Sequence, residues 1–208
     1  MDEIVIRAIA KWPNVPSVYD WLRLDRRGNW LVKARAARDG TSGFECISNR
    51  AVIEFIGRNY AQDAEHRWYF QNGPQKVFVA LDYTPWVYRL DDAAHGFLAH
   101  SGATPRTIDA AFVDDSGSLL LASDFGIGVL LDRDLPAVIE SLRDERGRRV
   151  ENLPEEIERG TETRVMLHGK TLTIAPVRAA DVPRRFGFVP HPAPRPGEIG
   201  RASCRERV

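Results

Sequence analysis

The chain has 208 residues, 43% hydrophobic and 28% charged, with 29 Lys and Arg against 29 Asp and Glu. That length suits one large domain or two small ones with a substantial core, and the composition is that of an ordinary globular protein. Zero net charge leaves no electrostatic surplus for a nucleic-acid or membrane partner, so neither is expected.

The N-terminal "EIVIRAIA" is too short and too interrupted to span a bilayer. It also lacks the basic start and small-residue cleavage site of a secretory signal. A cytoplasmic protein is the expectation. "LRLDRRGNWLV", residues 22–32, alternates apolar residues around a polar turn in which Gly28 supplies a positive φ, which predicts a β-hairpin. A short helix follows over "AVIEFI", residues 51–56, with Ser48 or Asn49 as its cap. Val52, Ile53, Phe55, Ile56 and Tyr60 recur there at helical spacing on one broad face. "RWYFQNGPQKVFVAL", residues 67–81, predicts a second hairpin turning at Asn72-Gly73, and "DYTP" at 82–85 closes the phrase.

Residues 91–107, "DDAAHGFLAHSGATPRT", read as a connecting segment with a strand from Gly96 to His100. The same grammar then returns. "AAFVDDSGSLLLAS", residues 110–123, is a hairpin about Gly117, and both first hairpins carry a D-x-x-G step. "AVIESL", residues 137–142, nearly repeats the first helix, with Asp134 as cap, Pro136 in the first turn and Val138, Ile139 and Leu142 as buried stripe. "VENLPEEIERG", residues 150–160, is an inserted short helix between Asn152 and Gly160. "RVMLHGKTLTIAPV", residues 164–177, turns near His168-Gly169 and leads to "DVP" at 181–183.

Hairpin, helix, hairpin and Asp-Pro thus occur twice in one order. The reading is an α+β fold of antiparallel hairpins packed with short helices, with one motif over 1–90, its copy over 108–190 and a tail over 191–208. Residues 198–208, "EIGRASCRERV", resemble the conceptual translation of a sequencing adapter and are set aside as such, with a genuine tail as the alternative. Setting them aside removes three Arg, two Glu and Cys204 and leaves a net charge of −1. Cys46 then stands alone, in keeping with a reducing compartment.

Chemistry is sparse. Gly126 and Gly128 punctuate a strand-like run, where a bulge or close packing is expected rather than a phosphate loop. The histidines at 66, 95, 100, 168 and 191 are dispersed without ligand spacing, so no metal or other cofactor is expected. Cys46 reads as a small half-buried residue, and the serines and paired acids sit in caps and turns. No catalytic residues are assigned.

All five Trp and all five Tyr lie between residues 12 and 88. Trp30, Trp68 and Phe78 are expected in the core. A recognition surface would draw on Trp12, Tyr83 and Trp86 beside prolines, with Gln71, Asn72 and Gln75 as hydrogen-bonding tips and Arg58 and Asn59 at a helix end. The leading expectation is a non-enzymatic binding or regulatory module for a protein or small-molecule partner. Its rival is an enzyme with a crevice between the motifs, where Arg58, Tyr60 and Asp82 come first. A homodimeric assembly role is third.

"KWPNVPSVYDWLRLDRRGNW", "FIGRNY", "WYFQNGPQKVFVALDYTPWV" and "RFGFV" together resemble a proteobacterial family of unknown function over about residues 11–190. The D-x-x-G-x-W hairpin, helix and following hairpin are similar to a second uncharacterised bacterial family with a fold of repeated α+β motifs and a proposed signalling role. The resemblance implies the duplication. It implies no catalytic residue.

Overall fold

The computed structural model describes residues 1–34, 43–91, 96–150 and 153–195. Its contacts divide the chain into two compact units, Met1–Tyr83 with the segment from Gly187 onward, and Thr84–Phe186. The Asn152 cap and the tail at 198–208 fall outside the described residues, as does His95.

In the first unit, α1 (Glu3–Lys11) precedes β1 (Val18–Leu24), β2 (Trp30–Lys33), β3 (Phe44–Cys46), α2 (Arg50–Arg58), β4 (Tyr60–Gln62), β5 (Trp68–Asn72) and β6 (Gln75–Leu81). They form a six-stranded sheet in the order β3-β2-β1-β6-β5-β4. Its core is aromatic: Tyr19 stacks on Phe78 at 4.6 Å, Trp30 meets Tyr60 edge-on at 5.2 Å, and Tyr60 lies 4.7 Å from Trp68. Each such pair adds about 0.5–1.5 kcal/mol beyond its burial. Strict alternation fails in β1, where Tyr19 and Leu22 are both buried. The register shifts between Val18 and Leu22, and Asp20 takes a φ of 59° there, so a bulge re-aims the strand.

The second unit holds β7 (Trp86–Asp91), β8 (Gly96–Ala99), β9 (Ile108–Asp114), β10 (Leu119–Ser123), β11 (Gly126–Leu130), α3 (Leu135–Ser141), α4 (Leu153–Glu158), β12 (Thr163–Leu167), β13 (Lys170–Val177) and α5 (Val182–Phe186). Its seven-stranded sheet runs β12-β13-β9-β10-β11-β7-β8. Apolar runs such as Leu119–Leu121 are buried throughout, as expected for strands covered on both faces. Gly128 satisfies the close-packing expectation, because a Cβ there would run into the Tyr88 ring and Trp86 Cβ of the neighbouring strand.

Four turns share one device. Asp25, Asp63, Asp114 and Asp144 each accept, on one carboxylate oxygen, the N–H groups two and four residues on. The residue three places on is left-handed in every case: Gly28, His66, Gly117 and Gly147. The short Asp side chain holds the loop closed from within, which is why Asp opens it and Gly suits its fourth position. Three of the four obey the D-x-x-G pattern, whereas His66 conceals the fourth.

Several expectations need correction. The hairpins are antiparallel, but the sheets are mixed: β1 pairs with β6, β9 with β13 and β7 with β11 in parallel. The division between units falls at Tyr83/Thr84, not near residue 90, because β7 and β8 pair within the second sheet. Residues 187–190 return to the first unit, where Val189 N–H donates to His66 O at 3.0 Å and Leu81 N–H to Pro190 O at 2.8 Å. The hairpin at 72–75 turns on Gly73-Pro74, since Asn72 pairs with Gln75 and only Gly73 has positive φ, at 56°. Asn49 caps α2 as expected, but the Asp134 carboxylate accepts Leu90 N–H at 2.9 Å instead of capping α3. The two AVIE phrases also bury different letters. Val138 is 0% exposed and Val52 is 42% exposed, while Ile139 is 40% exposed and leaves the predicted stripe.

Candidate functional site

A cavity of about 1080 Å³ opens within the Thr84–Phe186 unit, bounded by residues of β9, β10, β13, α3, α4 and α5. Helical periodicity delivers part of its apolar lining: Leu135 and Ile139 stand at i and i+4 on α3, and Leu153 and Ile157 at i and i+4 on α4, while Leu142 follows α3 in extended backbone. Val113, Leu119 and Val177 line it from the sheet. Pro176 is tolerated in β13 because β12 pairs only as far as Ile174. The volume is that of a small-molecule site, for which about 300–1,000 Å³ is usual.

The polar lining residues are three acids and three arginines. Asp114 is buried and occupied by its turn, accepting Ser116 and Ser118 N–H at 2.9 and 2.8 Å. Asp115 accepts Ala179 N–H at 2.8 Å, and Asp181 pairs with Arg184 at 3.1 Å. Arg185 donates to Pro176 O at 3.5 Å and lies over the Phe112 ring at 4.6 Å. Among the described residues, Arg178 and Arg185 have no acidic partner. Among the described residues, the ionisable groups lining the cavity are these three acids and three arginines.

The residues expected to form a recognition surface are brought together only in part: Gln71 N–H donates to Asn59 O at 2.8 Å and Asn72 pairs with Gln75 across the hairpin. Trp12 is exposed beyond α1 with Lys11 over its ring at 4.5 Å. Tyr83 and Trp86 are buried in different units, Tyr83 under Arg26 at 4.2 Å and Trp86 against Phe125 at 5.1 Å. Asn59 is a buried structural node: its Oδ1 accepts Asp2 N–H at 2.8 Å and its Nδ2 donates to Phe55 O at 2.9 Å. Gln71 is buried and donates to Gly73 O, and Gln75 donates to Pro16 O. Asn72 is exposed, and Arg58 pairs with Asp2 at 3.2 Å. Aromatic and amide groups that could have faced solvent instead complete the core.

Of the enzyme candidates, Tyr60 is buried and its phenol is pushed well above its ordinary value, and Asp82 pairs with Arg23. Cys46 is exposed in β3, so the expected half-burial does not hold. Among the described residues no three His, Cys, Asp or Glu form a metal-binding group, and no helix is long and apolar enough to cross a membrane.

The cavity arginines carry no sequence signal, because Arg178 after β13 and Arg184 and Arg185 on the short α5 read as ordinary solvated residues. The short helix expected within 150–160 is the legible sign: found as α4, it supplies Leu153 and Ile157 to the cavity.

Two mixed-sheet α+β units, one of them hollow, define the class of protein. A family model described as "Protein of unknown function (DUF2946)" and named DUF2944 matches residues 1–193, and the chain belongs to that family. Comparison with curated proteins finds no match. Among solved structures, a DUF1285 family protein from Silicibacter pomeroyi DSS-3 is similar at 14% identity, with 85% of this chain and 97% of that chain covered and a TM-score of 0.47.

Proposed function

We propose that the protein is a non-enzymatic cytoplasmic binding module, built from two copies of one α+β motif, whose Thr84–Phe186 unit holds a small apolar ligand. The observation that carries the ligand reading is Ile139. It stands one turn after Leu135 on α3 yet stays 40% exposed, lining a cavity of about 1080 Å³. A ligand there would bury it. Apolar burial stabilises by about 25 cal/mol per Å², enough to drive binding without chemistry. Kinship between the units is supported by strand order. Both sheets contain a run of third, second, first, last and penultimate strand of the motif, β3-β2-β1-β6-β5 and β11-β10-β9-β13-β12, with a parallel pair joining first to last.

The test is titration of the full chain with the uncharged fluorophore N-phenyl-1-naphthylamine. Saturable binding that weakens at least about tenfold in Ile139→Asp, with unchanged thermal stability, is the expected result. A folded parent that never saturates overturns the reading. A homodimer is a second reading, favoured by Ile4 and Ile6 exposed on α1, and light scattering decides it.

A further inference from the structure

We infer that the cavity's ligand is a single-chain amphiphile with a carboxylate head, its chain among the α3 and α4 side chains and its head at Arg178 and Arg185. This rests on the proposed ligand-binding role of the same unit. The aliphatic lining offers nothing polar to an apolar tail, since its side chains come from Leu, Ile, Val and Pro. A wholly apolar ligand would leave the arginines unused.

The six ionisable lining residues are not equivalent, although their formal charges cancel. Each acid already has a partner inside the protein: Asp114 its turn amides, Asp115 the Ala179 N–H, and Asp181 the Arg184 guanidinium. Of the bases, Arg184 pairs with Asp181, whereas Arg178 and Arg185 are solvent-exposed and in no ion pair among the described residues. Arg185 is also held in place, stacked on Phe112 and donating to Pro176 O. A planar guanidinium held beside apolar surface suits a carboxylate, which it meets with paired hydrogen bonds. A volume of about 1080 Å³ accommodates one molecule of this kind, taken as a free monomer.

The experiment is calorimetric titration of the full chain with decanoate, dodecanoate and dodecanol below their aggregation limits, beside the uncharged fluorophore. Dodecanoate should bind about tenfold or more tightly than dodecanol, as one charge-assisted hydrogen bond would give. Arg178→Gln should remove most of that advantage and leave fluorophore binding intact. Each added methylene should tighten binding about fourfold, following about 0.8 kcal/mol per buried CH₂. Equal binding of dodecanoate and dodecanol with the fluorophore still bound would overturn the head-group assignment and spare the cavity reading. Failure of all three chains and of the fluorophore would remove both. Sedimentation with phosphatidylserine vesicles, without binding of free dodecanoate, would also overturn the proposal by making the bilayer the source.

Discussion

Arg67 closes its turn on Asp63 twice: the backbone N–H donates to Oδ1 at 2.9 Å and Nε donates to Oδ2 at 2.8 Å. The guanidinium also lies 4.4 Å from the Phe78 ring centre, which ties the turn to the aromatic core of the first unit. Both side chains of the pair are almost wholly enclosed, at 11% and 6% exposure. Asp63→Ala should therefore cost about 3 kcal/mol, the scale for breaking an enclosed pair. Urea unfolding at neutral pH measures it.

The same carboxylate carries a pH dependence. Burial, the largest single influence, pushes its pKa up, but Arg67's two hydrogen bonds and charge, with the Glu65 N–H, outweigh it and hold Asp63 below 3.8. A depressed folded pKa means stability fully present above the unfolded value of about 3.9 and lost as pH falls through the lower folded one. Asp63→Asn should start less stable and lose less than the parent between pH 5 and about pH 2. A parallel loss in both proteins would contradict the assignment.

His100 acts in a higher window. Its ring packs on Trp86 at 5.5 Å, its Nδ1 accepts Val87 N–H at 3.3 Å, and burial pushes its pKa down to about 3. The unfolded imidazole titrates near about 6.5, so below that the unfolded chain binds a proton that the folded chain refuses. Stability should fall as pH drops from about 6.5 toward about 3, and His100→Gln should flatten that slope. In an NMR titration the His100 ring protons should not move between pH 7 and about pH 4.

Gly128 and Tyr88 form a size-exclusive contact. Gly128→Ala should cost about 1–3 kcal/mol by overpacking, since β7 cannot retreat from β11 without breaking their parallel pairing. Trimming the opposing ring in Tyr88→Ala should relieve it, so the double variant should be less destabilised than the sum of the two single changes. Thermal melts of the four proteins close the cycle.

Identical letters should respond differently in the two AVIE helices. Val138→Ala removes methyl groups from a fully enclosed site and should cost about 2 kcal/mol. Val52→Ala acts at an exposed position and should stay within about 0.5 kcal/mol. Equal losses would mean that the helices present the same face to their sheets after all.

What the amino-acid sequence determined by itself was local. The hairpins around Gly28, Gly117 and His168-Gly169, the Asn49 cap, the short helix at 153–158 and the burial of Trp30, Trp68 and Phe78 follow from turn chemistry and periodicity within a few residues. Tertiary structure alone decided the parallel pairs β1–β6 and β9–β13, whose partners lie far apart in the chain and carry no shared local mark. It also decided the fate of ambiguous side chains. Tyr83, Trp86, Asn59 and Gln71 suit a surface or a satisfied interior equally well, and only their neighbours chose the interior. The cavity belongs to the same category. Ile139 has the spacing of a core residue, but whether anything fills the space opposite depends on where α4 and α5 come to rest, and that is a property of faces meeting rather than of any segment.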